Sequence, residues 1–450
     1  MGSFRLGIAG MRGEISSLTP ELAINFASAL GTYLESGTVV VGRDTRTSSL
    51  MLHKSVVSAL MSCGCDVVDA GIISAPEMHY LVPELKAQGG MLISAGHHPM
   101  GWNALIPIME NGGNFTKIKL QEVLDIYNSK RYLMANWDEV GKIIIPPKNI
   151  QEGYLDMICS KLDVKAIASK NFMVIADFCN GAGTSIGNKF ANRLGLNLLP
   201  LNGANSGQLP HDPEPRPRAA LQTHSVLKPL KADIGFVFNS DMSRTSIVTS
   251  SGETLSEEYT FPLVLEQILQ NTDNKMKIVT NWCTTKSLDD IAKKYDAQIH
   301  KTIVGESSIV DKLNEVSADI AGDGSGSVAF ANHILGYDNL MVMGVILEAM
   351  ATQSCTSAEL AAVIPRYHII KKAIKCPSSH GYNAIKSLKN IFTDAEVIEE
   401  DGFLFKWKDG WLHLRNSMTE PIIRMIVEFK SKEKAEDKAI QVRGLLDRSI

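Results

Sequence analysis

The chain has 450 residues, 44% of them hydrophobic and 21% charged. That length favours two to four domains, and that ordinary globular composition sets aside collagen-like, disulfide-scaffold and wholly disordered classes. Its 45 Lys and Arg against 49 Asp and Glu give a net charge of −4, so no global field attracts nucleic acid or an anionic membrane, and any anion site has to be local.

The seven cysteines, Cys63, Cys65, Cys159, Cys179, Cys283, Cys355 and Cys376, are scattered without paired metal-site spacing and read as reduced thiols. Cys63-Gly64-Cys65 reads as two buried thiols ending a helix. The opening MGSFRLGIAGMRGE lacks a long apolar run, and nowhere does the sequence approach the roughly 18 consecutive apolar residues of a membrane span. A cytoplasmic protein with neither membrane nor nucleic-acid partner is expected.

In chain order, TVVVG at 38–42 reads as a buried strand, followed by a helix through SSLMLHKSVVSALMS with Ser48 or Ser49 as N-cap. CDVVDAGII and GGMLIS are two more short strands, the second breaking at AGHHPMGWNA, a loop where α/β sheets place their chemistry. The pattern restarts at NFMVIADF with a helix through IGNKFANRLGL, and again at KMKIVTNW with a helix through SLDDIAKKY and a strand at QIHKTIVG. Between these restarts the proline-rich QLPHDPEPRPRAAL is an extended surface connection, and DNLMVMGVILEAM is an apolar core helix of the third unit. From about residue 368 a strand in YHIIKKAIKC, a helix in YNAIKSLKNIF, strands in FLFKW and WLHLRN joined by Lys-Asp-Gly, a strand in PIIRMIVEFK and a charged terminal helix form a separate α+β domain.

Four loops stand out in chain order: ISAGHHPMGWNA at 93–104, FNSDMSR at 238–244, GDGSGS at 322–327 and RNSMTEP at 415–421. With GIAGMRG at the start, VVVGRDTRTSS, NGAG at 180–183 and TIVG at 302–305, they resemble in order the α-D-phosphohexomutases, the family of phosphoglucomutase, phosphomannomutase and phosphoglucosamine mutase, over essentially the whole chain. The resemblance implies three α/β domains and a smaller C-terminal α+β domain around a central cleft. We place these at 1–150, 151–253, 254–366 and 367–450.

In that family a phosphoserine exchanges its phosphoryl group with a hexose phosphate, assisted by Mg²⁺ on a loop of three carboxylates. Here the resemblance puts Gly96 at the phosphoserine position, and glycine has no oxygen to phosphorylate. It puts Asn239, Asp241 and Ser243 at the metal positions, leaving Asp241 as the one carboxylate, so Mg²⁺ binding is doubtful because hard cations want several anionic oxygens. Arg244 is kept at the cleft, while Ile106 stands where the family has a lysine. Asp323 and Ser325 match the sugar loop. Arg12, Arg415, Ser417, Thr419 and Arg424 match the phosphate-binding positions, where guanidinium forks and hydroxyls suit a phosphate dianion.

Two functions follow as expectations. The first is a non-catalytic or redirected hexose-phosphate-binding protein of carbohydrate metabolism, with an active mutase paralogue as partner. The second is a mutase that moves phosphoryl groups through another acceptor, His97, His98 or Ser94. Asp241 also has a plainer reading, as a turn carboxylate or the partner of Arg244. The nucleotide-loop spacings are missing from GDGSGS, so neither ATP nor NAD is expected.

Overall fold

The computed structural model describes residues 4–7, 10–147, 149–272, 274–416 and 421–449. Four sheets follow one another along the chain. The first orders its strands Phe4–Gly7, Gly10–Glu14, Trp102–Met109, Gly89–Ile93, Thr38–Arg43, Asp66–Ile72 and Ile143–Ile144. Its parallel centre explains the continuous apolar run of TVVVG: Val39 and Val41 enter one core with helices Pro20–Tyr33 and Thr47–Ser62, and Val40 enters the opposite core with helix Ala75–Glu84. A strand covered on both faces needs apolar residues at every position.

The second sheet runs Thr245–Thr249, Ile234–Phe238, Met173–Asp177, Asn197–Leu201, and the third Gln298–Thr302, Lys277–Asn281, Ile320–Asp323, Ser327–Phe330. The last is antiparallel throughout, His368–Lys375, Ile422–Phe429, Gly410–Asn416, Phe403–Trp407, Glu396–Ile398, packed against helices Ser378–Ser387 and Lys432–Ser449. Three α/β layers and a β-rich fourth domain are therefore present. In each α/β sheet one loop joins a parallel strand to an antiparallel neighbour: residues 94–101, 239–244 and 324–326. These are three of the four loops singled out in the sequence, now occupying topologically equivalent positions.

Two details differ from the sequence reading. Helix Thr47–Ser62 starts after Arg46, with no side-chain cap. Both serines are engaged elsewhere, since Ser49 donates to Asp44 Oδ1 at 2.5 Å and Ser48 Oγ accepts from Asn103 Nδ2 at 2.8 Å. The apolar helix, Asn339–Thr352, does not serve the third sheet alone. A single core runs from Tyr154 to Ile364, taking Phe178, Phe190 and Phe236 of the second layer together with Phe261, Ile278 and Ile320 of the third, and this helix lies within it. That shared burial is why the helix is apolar on nearly every face. The thiols at Cys63 and Cys65 are buried behind the end of helix Thr47–Ser62 as read, and the seven cysteines are all free. Among the described residues no helix is long and apolar enough to cross a membrane.

Gly344 allows the helix to approach its neighbours closely, because an added Cβ there would overlap Leu162 Cδ1 and come within 3.3 Å of Phe190 Cζ. Gly344→Val should therefore destabilise the protein by about 1–3 kcal/mol through overpacking, read as a lower denaturation midpoint. An unchanged midpoint would show that the second and third layers part without cost.

Candidate functional site

The site is organised by an ion pair that is almost entirely removed from water. Arg46 is 1% exposed and Asp44 0%. Asp44 accepts from Arg46 Nε at 3.1 Å and from the Arg46 peptide N–H at 3.0 Å. The guanidinium spends its remaining donors on the 94–102 loop, reaching the carbonyls of Gly96 at 3.0 Å, His98 at 2.6 Å and Pro99 at 2.8 Å. Ser240 Oγ adds a bond to the same Gly96 carbonyl at 2.8 Å. A planar, permanently charged group with five donors can hold several carbonyls in one geometry, which lysine cannot. Burial raises the Asp44 carboxyl above its ordinary value against the pull of Arg46.

This clamp fixes Gly96 in the left-handed region, at φ +54°, with Asp241 Oδ2 only 2.8 Å from where a Cβ would stand. Ser94, which the sequence places on an extended segment two residues away, is instead fully buried under the loop. Its Oγ lies 2.8 Å from Asp241 Oδ2 and 3.1 Å from Asp44 Oδ2, and accepts from the Gly96 N–H at 3.0 Å. Asp241 Oδ1 accepts from Asn239 Nδ2 at 2.9 Å, Ser243 Oγ at 2.7 Å and the Ser243 N–H at 3.2 Å. Asp241 is thus a turn carboxylate held by its own loop, and Arg244 pairs with Glu214 at 3.0 Å, not with Asp241. Ile106 joins the apolar cluster around helix Ala75–Glu84.

His97 and His98 lie at the tip of the loop with ring centroids 4.4 Å apart, His98 stacked on Trp102 at 5.0 Å. Arg12 NH1 meets His98 Nε2 at 2.9 Å, so the first-domain arginine does reach this loop. Burial, then the positive charge of Arg244, with His98, Arg12 and Arg46 behind it, holds His97 well below the ordinary imidazole range. His97 is a neutral ring in a cationic setting.

Arg244 also lines a neighbouring cavity of about 530 Å³ between the second, third and fourth domains. Asp323, Ser325, Arg415 and Arg424 all line it, so residues from the third-domain GDGSGS loop and from two fourth-domain strands share one cavity. Asp323 Oδ1 accepts from the Ser325 N–H at 2.9 Å and from Ser325 Oγ, and Arg415 pairs with Asp401 at 3.4 Å. Ser417 and Thr419 lie outside the described residues.

Several residues here had no warning in the sequence beyond their charge. Asp44 and Arg46 sit in the quoted VVVGRDTRTSS motif, and two charges directly after a buried strand were the available signal. Lys371, Lys372 and His413 reach the cavity from strands, Cys283 from a loop and Glu258 from the short 3-10 helix Glu257–Tyr259, none at a motif position. Lys371 Nζ holds two buried carboxylates, Glu257 at 2.9 Å and Glu258 at 2.6 Å. Two acids sharing one ammonium part in their ionisation. Burial works against Glu257, yet Lys371 holds it below its ordinary value. Burial, with Glu257 adding to it and Lys371 opposing it, pushes Glu258 up to about 8.

Comparison with known proteins follows the same lines. Family models described as phosphoglucomutase/phosphomannomutase alpha/beta/alpha domains I, II and III match residues 4–134, 152–252 and 256–367. A phosphoglucomutase/phosphomannomutase of Thermococcus kodakarensis is 32% identical over 96% of each chain, and a probable phosphoglucosamine mutase of Pyrococcus abyssi is 31% identical over 100% of this chain and 99% of the other. Among solved structures, a family protein from Burkholderia thailandensis superposes with a TM-score of 0.84 at 21% identity, covering 98% of this chain and 97% of that one. Aspergillus fumigatus N-acetylphosphoglucosamine mutase, solved with GlcNAc-6P and magnesium, superposes at 0.60 with 13% identity over 95% and 97%. The chain belongs to the α-D-phosphohexomutase family.

Gly96→Ser should lower stability by about 1–2 kcal/mol, the cost of a left-handed non-glycine residue, with its Cβ also pressed on Asp241. Chemical denaturation checks this, and a stability equal to the parent's would mean that the loop relaxes freely. The raised Glu258 also has a sign. Between its ordinary 4.5 and about 8 the folded state keeps a proton that the unfolded chain has lost, so this group makes stability fall as pH rises through that window. Melting temperatures recorded from pH 5 to 9 should show that slope flattened in Glu258→Gln, and an identical slope would remove Glu258 as its source.

Proposed function

We propose that this protein binds a hexose phosphate in the cavity between its second, third and fourth domains and does not pass phosphoryl groups through position 96. The observation that carries the reading is the packing of Asp241 against Gly96. The position that the family resemblance assigns to the phosphoserine has no hydroxyl, and its place is closed by a carboxylate. Ser94 does not substitute for it, because its oxygen is buried between the Asp241 and Asp44 carboxylates, which compete for its one proton, and accepts from the Gly96 N–H.

Magnesium fits this donor set poorly. A hard cation wants several anionic oxygens free to face it, whereas Asp241 has both oxygens accepting from Asn239, Ser243 and Ser94. An amide and two hydroxyls that donate inward replace the cation's charge with hydrogen bonds. No step of phosphoryl transfer is therefore derived through this loop.

The docking end is different. Arg216, Arg244, Lys371, Lys372, Arg415 and Arg424 line the cavity against Glu214, Glu258 and Asp323, a local positive excess in a chain of net charge −4. That supports a phosphate dianion, with Asp323 and Ser325 available to sugar hydroxyls. The names of the relatives favour a hexose or hexosamine phosphate. A second reading, transfer through an imidazole, is favoured by one observation: His97 is held neutral beside Arg244 and Arg12, the state a nitrogen nucleophile needs. His98 is less suited, since its Nε2 faces Arg12.

³¹P NMR with hexose and hexosamine 1- and 6-phosphates, Mg²⁺ and a 1,6-bisphosphate primer tests both. Shifted or broadened resonances without interconversion support the binding reading. Interconversion that disappears in His97→Ala overturns it in favour of the imidazole route. Arg415→Ala should weaken binding by about 1.5–3 kcal/mol, the scale of a charged hydrogen bond, and unaltered affinity would remove Arg415 from the site.

A further inference from the structure

Where the third and fourth domains meet, three side chains that neither the sequence motifs nor the proposed binding reading uses converge at the edge of the cavity. Cys283 lies just beyond the end of strand Lys277–Asn281, its N–H bonded to Asn281 Oδ1 at 2.8 Å. His413 is in the middle of strand Gly410–Asn416, and Asp401 is in the turn before strand Phe403–Trp407. One ligand atom from each lies within 4.8 Å of the other two.

We propose that Cys283, His413 and Asp401 form a site for a thiophilic divalent cation of the zinc type, with an open coordination position towards the cavity. Their chemistry is that of a three-ligand zinc site, thiolate, imidazole and carboxylate, which leaves a fourth place for water or a ligand oxygen. His413 has the outer-shell partner such ligands carry: its Nε2 faces the Asp401 carbonyl oxygen at 2.5 Å, which puts the proton on Nε2 and leaves the Nδ1 lone pair for a metal. That lone pair points at Cys283 Sγ, 3.2 Å away.

Bond lengths of about 2.3 Å to sulfur and 2.0–2.1 Å to nitrogen set a tetrahedral S···N separation of roughly 3.5 Å, so the pair needs to open by only a few tenths of an ångström. The Asp401 carboxylate is steadied by one donor on each oxygen, the Val304 N–H at 3.0 Å on Oδ2 and Arg415 at 3.4 Å on Oδ1, so unlike Asp241, whose Oδ1 takes three donors, each oxygen keeps a lone pair for the ion. Cys283 and His413 both line the cavity, next to Arg415 and Arg424, so the open position faces the surface that suits a phosphate oxygen.

On binding, the Cys283 S–H bond breaks, its proton leaves to solvent, and sulfur and Nδ1 each give a lone pair to the ion. The thiolate and the Asp401 carboxylate balance its two charges. Burial raises the Cys283 thiol and lowers the His413 imidazole, so without a metal both are neutral and share one S–H···N hydrogen bond. The two ligand-bearing domains are then joined by a metal as well as by hydrogen bonds.

The full chain, stripped with chelator and free of sugar phosphate, is titrated with Co²⁺ and then Zn²⁺. The proposal expects one ion per chain, a near-ultraviolet thiolate-to-cobalt band that Zn²⁺ bleaches, loss of that band in Cys283→Ser, and at least about tenfold weaker uptake in His413→Gln. Asp401→Asn serves as the second variant if His413→Gln does not fold. No stoichiometric uptake at micromolar metal, or a band that survives in Cys283→Ser, overturns it. Because no sugar phosphate is present, either outcome is independent of the binding reading.

Discussion

The buried Arg46–Asp44 pair is the constraint on which the rest of the site depends. Taking a guanidinium out of water is costly unless every donor finds an acceptor, and here the acceptors are Asp44 and the carbonyls of the 96–102 loop. The loop is therefore not free to choose its shape. It turns through a left-handed Gly96, sets that glycine against Asp241, and stacks His98 on Trp102 beside Arg12. Removing the Arg46 side chain would take a donor from the carbonyls of Gly96, His98 and Pro99 and leave the Asp44 carboxylate buried without its counter-charge, which costs more than the net value of the bonds themselves.

The contact at Gly96 explains how the second-domain loop is stable with one carboxylate. Asn239 and Ser243 are oriented as donors, so Asp241 is satisfied within its own turn and from Ser94. Its carboxylate oxygens accept from Asn239, Ser243 and Ser94, all neutral donors. The loops also lock the domains to one another. Ser327 Oγ donates to the Ser243 carbonyl at 2.8 Å, the Thr245 N–H to Gly326 at 2.9 Å, and the Ala75 N–H to the Asp241 carbonyl at 2.9 Å. The wall of the cleft is a continuous set of backbone and side-chain bonds, backed by one core shared between the second and third layers.

Legibility followed the range of the interactions. Strands such as Thr38–Arg43 and Met173–Asp177 were readable because burial on both faces demands apolar residues in sequence. The four loops were readable because their residue order is itself the signal. The N-cap of helix Thr47–Ser62 was misread because Ser48 and Ser49 have tertiary partners that local propensity does not include. The helix at Asn339–Thr352 was read correctly as apolar, but assigned to one layer when it serves two. Ser94 was read as the end of strand GGMLIS, and its burial between Asp44 and Asp241 was not legible because both carboxylates come from other segments of the chain.

By itself the sequence determined the family, the succession of three α/β layers and an α+β domain, and the absence of a hydroxyl at position 96, since each is a matter of residue identity and short-range order. Only the tertiary structure decided that Asp241 stands against Gly96, that Glu257 and Glu258 share Lys371, and that Cys283 meets His413, residues 130 apart in the chain. Those are contacts between separate domains. Their partners are chosen by how the sheets pack, and a one-dimensional pattern does not carry that choice.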